Sequence, residues 1–214
     1  SGNTAKNVGV YQLTVTGTGN FTGEATVLYT VNPDLNCIEG LDEYNVKSTD
    51  KDAVEYVYNQ LDNAITDLAD DETKAEWNEI KDECWQWIKL LESVEYRVES
   101  LGNCYKAYNI DTVTSADDLA LETLEAEIYL FMRDYRGNMT EEELLVVDNA
   151  RIEISYLRDR IAETMSKYDS VIAAANGYDE ATVTSADKDA LVQLNDDIYA
   201  LALTENVTAE EKAN

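Results

Sequence analysis

Histidine is absent from all 214 residues. Its absence removes the commonest general base and the commonest metal ligand together. A Ser-His-Asp triad, a Cys-His dyad and a histidine-based zinc site are therefore excluded within this chain. Three cysteines occur, Cys37, Cys84 and Cys104, an odd count with no Cys-x-x-Cys spacing. Neither a disulfide framework nor a zinc knuckle is indicated. One proline and nine glycines leave room for long uninterrupted helices. No apolar run reaches the ~18–20 residues of a membrane span, so no membrane insertion is expected. Basic residues are scarce: 16 Lys and Arg stand against 44 Asp and Glu, a net charge of −28. Phosphate backbones and anionic lipid surfaces are repelled by such a chain, so nucleic acid is not an expected partner. The chain starts in mid-pattern without a signal peptide and is expected to be a piece of a longer protein.

Residues 9–31 alternate with a period of two. Tyr11, Leu13 and Val15 interleave with Gln12, Thr14 and Thr16, and Ala25, Val27, Tyr29 and Val31 follow the same rule. Gly17-Thr18-Gly19-Asn20 between them is turn chemistry, and a β-hairpin is expected. From residue 34 onward the pattern is helical and recurs. Val46-Lys47-Ser48-Thr49-Asp50 returns as Val113-Thr114-Ser115-Ala116-Asp117 and as Val183-Thr184-Ser185-Ala186-Asp187, at steps of 67 and 70 residues. In each copy the serine is the expected N-cap, and the aspartate two places on favours the positive end of the helix dipole. Thr140-Glu141-Glu142-Glu143 and Thr208-Ala209-Glu210-Glu211 read as capping boxes, with Asp70-Asp71-Glu72-Thr73 in the equivalent place. Asn36-Cys37 and Asn103-Cys104 mark a third recurring position, so 34–43 looks like a short first helix.

Apolar stripes at 3–4 spacing run through Val54, Tyr58, Leu61, Ile65 and Leu68, and through Leu121, Leu124, Ile128, Phe131 and Tyr135. Two longer stripes run from Trp77 through Cys84, Trp87, Leu91, Val94 and Val98 to Tyr108, and from Val147 through Ile154, Leu157, Ile161 and Tyr168 to Ala175. One helix of ~36 residues is favoured for each, about 54 Å long. A tight turn near Ser93 or Arg160 is the alternative. The expected fold is mainly α: tandem three-helix bundles of spectrin-like form, with shared long helices and an N-terminal β-hairpin. The expected domains are 1–33, the last strands of an immunoglobulin-like β domain; 34–92, a first bundle; 93–182, a second; and 183–214, the start of a third, truncated copy.

The acids fall mainly on polar helix faces and read as a solvated surface. Asp67–Glu72 lacks the ligand spacing and central glycine of a calcium loop, so no metal or cofactor is expected. No catalytic residues are expected either. Trp77 and Trp87 lie on the stripes and read as core. Trp85, Tyr96, Tyr129 and Tyr156 lie off them and are the candidate protein-binding residues, since exposed aromatics on rigid helices serve as hot spots. Shoulders of a doubly packed bundle are the other reading. Sequons at Asn20, Asn138 and Asn206 match by pattern alone.

Tyr11-Gln12-Leu13-Thr14-Val15-Thr16-Gly17-Thr18-Gly19-Asn20-Phe21-Thr22-Gly23 resembles the closing strands of bacterial immunoglobulin-like surface modules. The helix opening Val-Thr-Ser-Ala-Asp-Lys-Asp-Ala-Leu, with its Thr-Ala-Glu-Glu-Lys-Ala second start, resembles three-helix repeats of wall-anchored surface proteins from Gram-positive gut bacteria of the Clostridia type. This second resemblance covers about 34–214, and Trp77, Trp85 and Trp87 depart from the alanine-rich, aromatic-poor character of that family. The resemblance implies a non-catalytic, extracellular, cell-wall-attached stalk or adhesin segment, monomeric in itself. The alternative is a module that binds a host extracellular protein, an immunoglobulin or a mucosal glycoprotein, through exposed helix faces.

Overall fold

A computed structural model describes residues 7–213. It is mainly helical, with six helices and one two-stranded antiparallel sheet. Strands β1 (Gly9–Thr16) and β2 (Glu24–Val31) pair in register from Gly9 opposite Val31 to Thr16 opposite Glu24. Helices α1 (Lys51–Asp62), α2 (Asp71–Asn103), α3 (Asp118–Tyr135), α4 (Glu141–Asn176), α5 (Lys188–Leu203) and α6 (Ala209–Ala213) follow. The long stripes form one helix each, of 33 residues in α2 and 36 in α4, but α2 stops at Asn103, and Tyr108, the end of its stripe, lies in extended chain after a 3₁₀ turn at Cys104–Ala107. Neither turns at Ser93 or Arg160. The chain divides into two compact units, residues 1–96 with 137–140, and residues 97–136 with 141–214.

In the first unit a single apolar core joins Val8, Val10 and Val46, with Val54, Val57 and Leu61 of α1 and Trp77, Cys84, Trp87 and Leu91 of α2. The hairpin is anchored by its base. Val10 N donates to Ile65 O at 2.9 Å and Ile65 N to Val8 O at 3.1 Å, adding a parallel bridge beside β1. Further out, Tyr11, Leu13 and Val15 face Tyr29, Val27 and Ala25 across the ladder, and Leu13, Val15 and Val27 are exposed. This docking corrects the stripe read through Ile65 and Leu68. The helix ends at Asp62, where Asn63 folds its side chain back onto Asn59 O at 2.8 Å. Ile65 then lies in extended chain against β1, and both it and Leu68 are exposed. A second correction concerns 34–43, which forms only a 3₁₀ turn at Asn36–Ile38. Gly40, at φ +80°, diverts the chain before a longer helix develops.

In the second unit α3 packs against α4. Leu121, Ile128 and Phe131 of α3 and Val147, Ala150, Ile154, Leu157 and Ile161 of α4 are buried, as the stripes require. Gly102 is needed where α4 comes closest, since a Cβ there would stand 2.5 Å from Val146 Cγ1. Arg158 bridges the pair, donating to Asp118 at 3.0 Å and Glu125 at 2.7 Å. Past Ile161 the stripe of α4 is only half-buried, and α5 has no buried residue.

The three recurring openings share one backbone construction. The carboxylate or amide oxygen of Asp42, Asn109 and Asp179 accepts the N–H two residues on, at 2.9, 2.8 and 2.8 Å. The carbonyl of the same residue accepts Val46 N, Val113 N and Val183 N, at 3.0, 2.8 and 2.9 Å. The helix start lies one residue earlier than the serine. Lys47, Thr114 and Thr184 are the caps of a short 3₁₀ turn, and their N–H groups donate to Asp50, Asp117 and Asp187 at 2.9, 2.9 and 2.8 Å. The aspartate thus accepts the cap residue's backbone N–H rather than acting only through the dipole.

Two of these turns are held from outside by a buried asparagine. Asn138 Nδ2 donates to Glu43 O at 2.9 Å and Val46 O at 3.0 Å. Asn206 Nδ2 donates to Ile110 O at 3.0 Å and Val113 O at 2.8 Å. A side-chain amide carries two N–H donors, so one asparagine satisfies two inward-facing carbonyls. Gly137 lets the first segment approach, since a Cβ there would lie 2.0 Å from Tyr44 O. Removing the amide strands one buried and one part-buried acceptor, the buried one at about 1–3 kcal/mol. Asn138→Ala is therefore expected to destabilise the chain by about 2–3 kcal/mol in urea unfolding, and Asn138→Asp by more, because a carboxylate has no donor and faces two carbonyl oxygens. Asn20→Ala, in the exposed hairpin loop, is expected to stay within about 0.5 kcal/mol; equal effects at Asn20 and Asn138 would contradict the clamp.

Candidate interaction surface

The four off-stripe aromatics are all exposed: Trp85 42 %, Tyr96 70 %, Tyr129 64 % and Tyr156 57 %. Their positions follow from helical spacing. Trp85 and Trp87 are neighbours in sequence, but two steps turn a helix by about 200°, so they lie on opposite sides of α2. Trp87 enters the first core, and Trp85 faces out.

Trp85 is not loose on that surface. The Tyr58 ring of α1 lies 5.6 Å from it, tilted by 31°, and Lys89 Nζ sits 4.4 Å from the ring centroid. Lys89 in turn pairs with Glu92 at 2.7 Å. Trp85, Lys89, Glu92 and Tyr96 follow one another at steps of four, three and four, so α2 aligns them on one stripe. The ammonium is attracted to the ring quadrupole and also fixes the indole's orientation. The result is a short amphipathic strip with an aromatic at each end and an ion pair between.

Tyr129 on α3 and Tyr156 on α4 belong to the second unit. Among the described residues neither has an aromatic ring partner. The structure thus groups Trp85 with Tyr96 on one helix face and leaves Tyr129 and Tyr156 as separate exposed side chains. Sequence reasoning missed Tyr58, whose place on an apolar stripe made it look like core; it is half-buried beneath Trp85. It also passed over Asn138 and Asn206, weighed only as sequons. Their common setting, Asn-apolar-Thr directly before a glutamate-rich helix start, was the available signal.

The other candidate groups are structurally occupied. Asp70 caps α2, accepting Thr73 N at 2.8 Å, and this hydrogen bond holds its carboxyl below the usual value. Glu211 closes the box at α6, taking Thr208 N at 2.7 Å. Burial acts to raise its pKa, but the Ser115 hydroxyl and the Thr208 donors bring it below the ordinary carboxylate value. The three cysteines are unpaired, and Cys84 is fully buried in the first core. The chain matches no protein-family model, no curated protein and no solved structure.

Trp85→Ala is expected to cost about 1 kcal/mol, the worth of one ring pair and one exposed cation–π contact, whereas Trp87→Ala is expected to cost about 3–5 kcal/mol. Paired urea titrations check the contrast, and comparable losses would contradict the opposed faces. Burial pushes the Cys84 thiol up to about 11. Its thiolate is therefore scarce below that pH, and only the thiolate is nucleophilic. Iodoacetamide at pH 8 is expected to label exposed Cys37 and spare Cys84 until the chain is unfolded, as read by peptide mass spectrometry.

Proposed function

We propose that the chain is a non-catalytic repeat module of an extracellular bacterial surface protein, acting as a stalk or adhesin segment that spaces other domains. In this reading it is built as tandem three-helix bundles that use long helices in common, behind the end of an immunoglobulin-like β domain. The observation that carries the reading is the recurring joint. The same turn is built at Asp42, Asn109 and Asp179, and the first two are clamped by Asn138 and Asn206 with the same pair of hydrogen bonds. Distinctive buried polar groups here serve the joining of elements, not a reaction centre. The unbroken lengths of α2 and α4 suit a spacer, because a continuous helix resists bending where a loop would not. The outward apolar ladder of the hairpin suits a sheet end that packs within a larger β domain.

A second reading is favoured by the Trp85–Lys89–Tyr96 strip: a host-protein-binding helix face, with an immunoglobulin or a mucosal glycoprotein as partner. A pull-down from serum and mucus with the whole chain separates the two. The spacer reading expects no protein retained above a blank resin. Saturable retention of one protein, reduced more than tenfold by Trp85→Ala, would replace it with the binding reading.

A further inference from the structure

We propose that the turn at 179–187 is a preformed receptor for a helix-start segment of the form Asn-apolar-Thr-x-x-Glu, supplied by another copy of the helical module. The receptor side is complete. Asp179 orders the turn through Ala181 N at 2.8 Å, Thr182 N at 2.9 Å and Val183 N at 2.9 Å, and Asp187 takes Thr184 N at 2.8 Å. These are the bonds made at Asn109 and Asp117, where the turn is occupied.

The difference lies in what covers the turn. Val46 is 0 % and Val113 2 % exposed, whereas Val183 is 38 % exposed. The two occupying segments are Asn138-Met139-Thr140 and Asn206-Val207-Thr208, and each buries its asparagine and the apolar residue after it. At the third turn the corresponding carbonyls are those of Glu180 and Val183. Among the described residues no side-chain amide reaches either one. Ser115 donates its hydroxyl to Glu211 of the segment clamping the second turn; Ser185 holds the same place in the third and is exposed. An occupant must therefore bring a primary amide for two carbonyls, an apolar side chain for Val183, and a helix-start glutamate for Ser185. Asparagine fits the first demand, and a carboxylate does not.

This site rests on the repeat-module part of the proposed function and not on the spacer role, so the two can fail separately. The probe is an N-acetylated peptide of residues 204–213, Thr-Glu-Asn-Val-Thr-Ala-Glu-Glu-Lys-Ala. It is titrated into the ¹⁵N-labelled whole chain and followed by amide chemical shifts. The expected result is saturable shifts confined to residues 179–187, with a Kd on the order of 1 mM. The same peptide carrying Asn206→Ala is expected to bind about tenfold more weakly, the loss of two neutral hydrogen bonds net of solvation. Shifts absent from 179–187, confined instead to 109–117, or unchanged by the asparagine substitution would each overturn the proposal. Such a failure leaves the spacer reading supported by the Asn138 and Asn206 clamps. Capture of a serum protein overturns that reading and leaves this site intact.

Discussion

A primary amide facing two backbone carbonyls is the constraint on which the rest of this chain's order depends. The turns at Asp42 and Asn109 spend their N–H groups on a single residue's oxygens, and two carbonyls are left pointing inward. The bond to the valine carbonyl is buried and the other is part-buried, and at the buried one a missing donor costs more than an ordinary hydrogen bond contributes. Asn138 and Asn206 supply both donors from positions more than 90 residues away. Apolar stripes alone do not define such a fit. A 3–4 pattern permits a helix to slide by a turn and still bury leucine and isoleucine, as interchangeable cores show. An amide set against two fixed oxygens permits no slide, since a displacement of one turn is about 5.4 Å and breaks both bonds.

How much of this was legible follows from how local each signal is. The hairpin could be read because strand alternation and the Gly-Thr-Gly-Asn turn lie within a few residues of one another, and the structure pairs them in the expected span. The long helices could be read because nothing in 71–103 or 141–176 interrupts the stripe. The helix start was misplaced by one residue because a 3₁₀ turn precedes α1, α3 and α5, and propensity does not distinguish Ser115 from Thr114 as cap. Ile65 and Leu68 fitted a helical stripe but lie beyond Asp62, where tertiary pairing with Val8 and Val10 overrides helical spacing. The asparagine clamps were the least legible. Their partners are backbone carbonyls, which every residue has, so the target leaves no mark in the sequence; only the repeated Asn-apolar-Thr setting does.

The aromatics show the same division between stripe and surface. A helix packed on one side buries a limited arc, and α2 assigns Trp87 to that arc and Trp85 outside it. An exposed indole is ordinarily free to change rotamer. Here Tyr58 on one side and Lys89 on the other narrow its choice. Ordering of this kind lowers the entropy cost of binding, which suits a hot spot. It also shields part of a large apolar ring from water, which suits a shoulder. Geometry alone is common to both, and the distinction lies in whether a partner gains more from the ring than Tyr58 and Lys89 already do.

Charge completes the physical picture. With 44 acids against 16 bases, most carboxylates have no cation to pair with, and the ion pairs that do form are partly exposed. Partly exposed pairs contribute little, about 0–1 kcal/mol each, and salt weakens them further. The clamps use a different chemistry: neutral amide to neutral carbonyl, beside buried valine and methionine. Ionic strength therefore acts mainly on repulsion between acidic faces and leaves the clamps nearly unchanged. A net charge of −28 opposes the side-to-side approach of two like chains. At the clamped turns the amide-to-carbonyl part of the contact asks for no opposite charge. Repulsion along the faces and neutral recognition at the joints are thus compatible in one sequence, and the acidity of the chain does not weaken the contacts that order it.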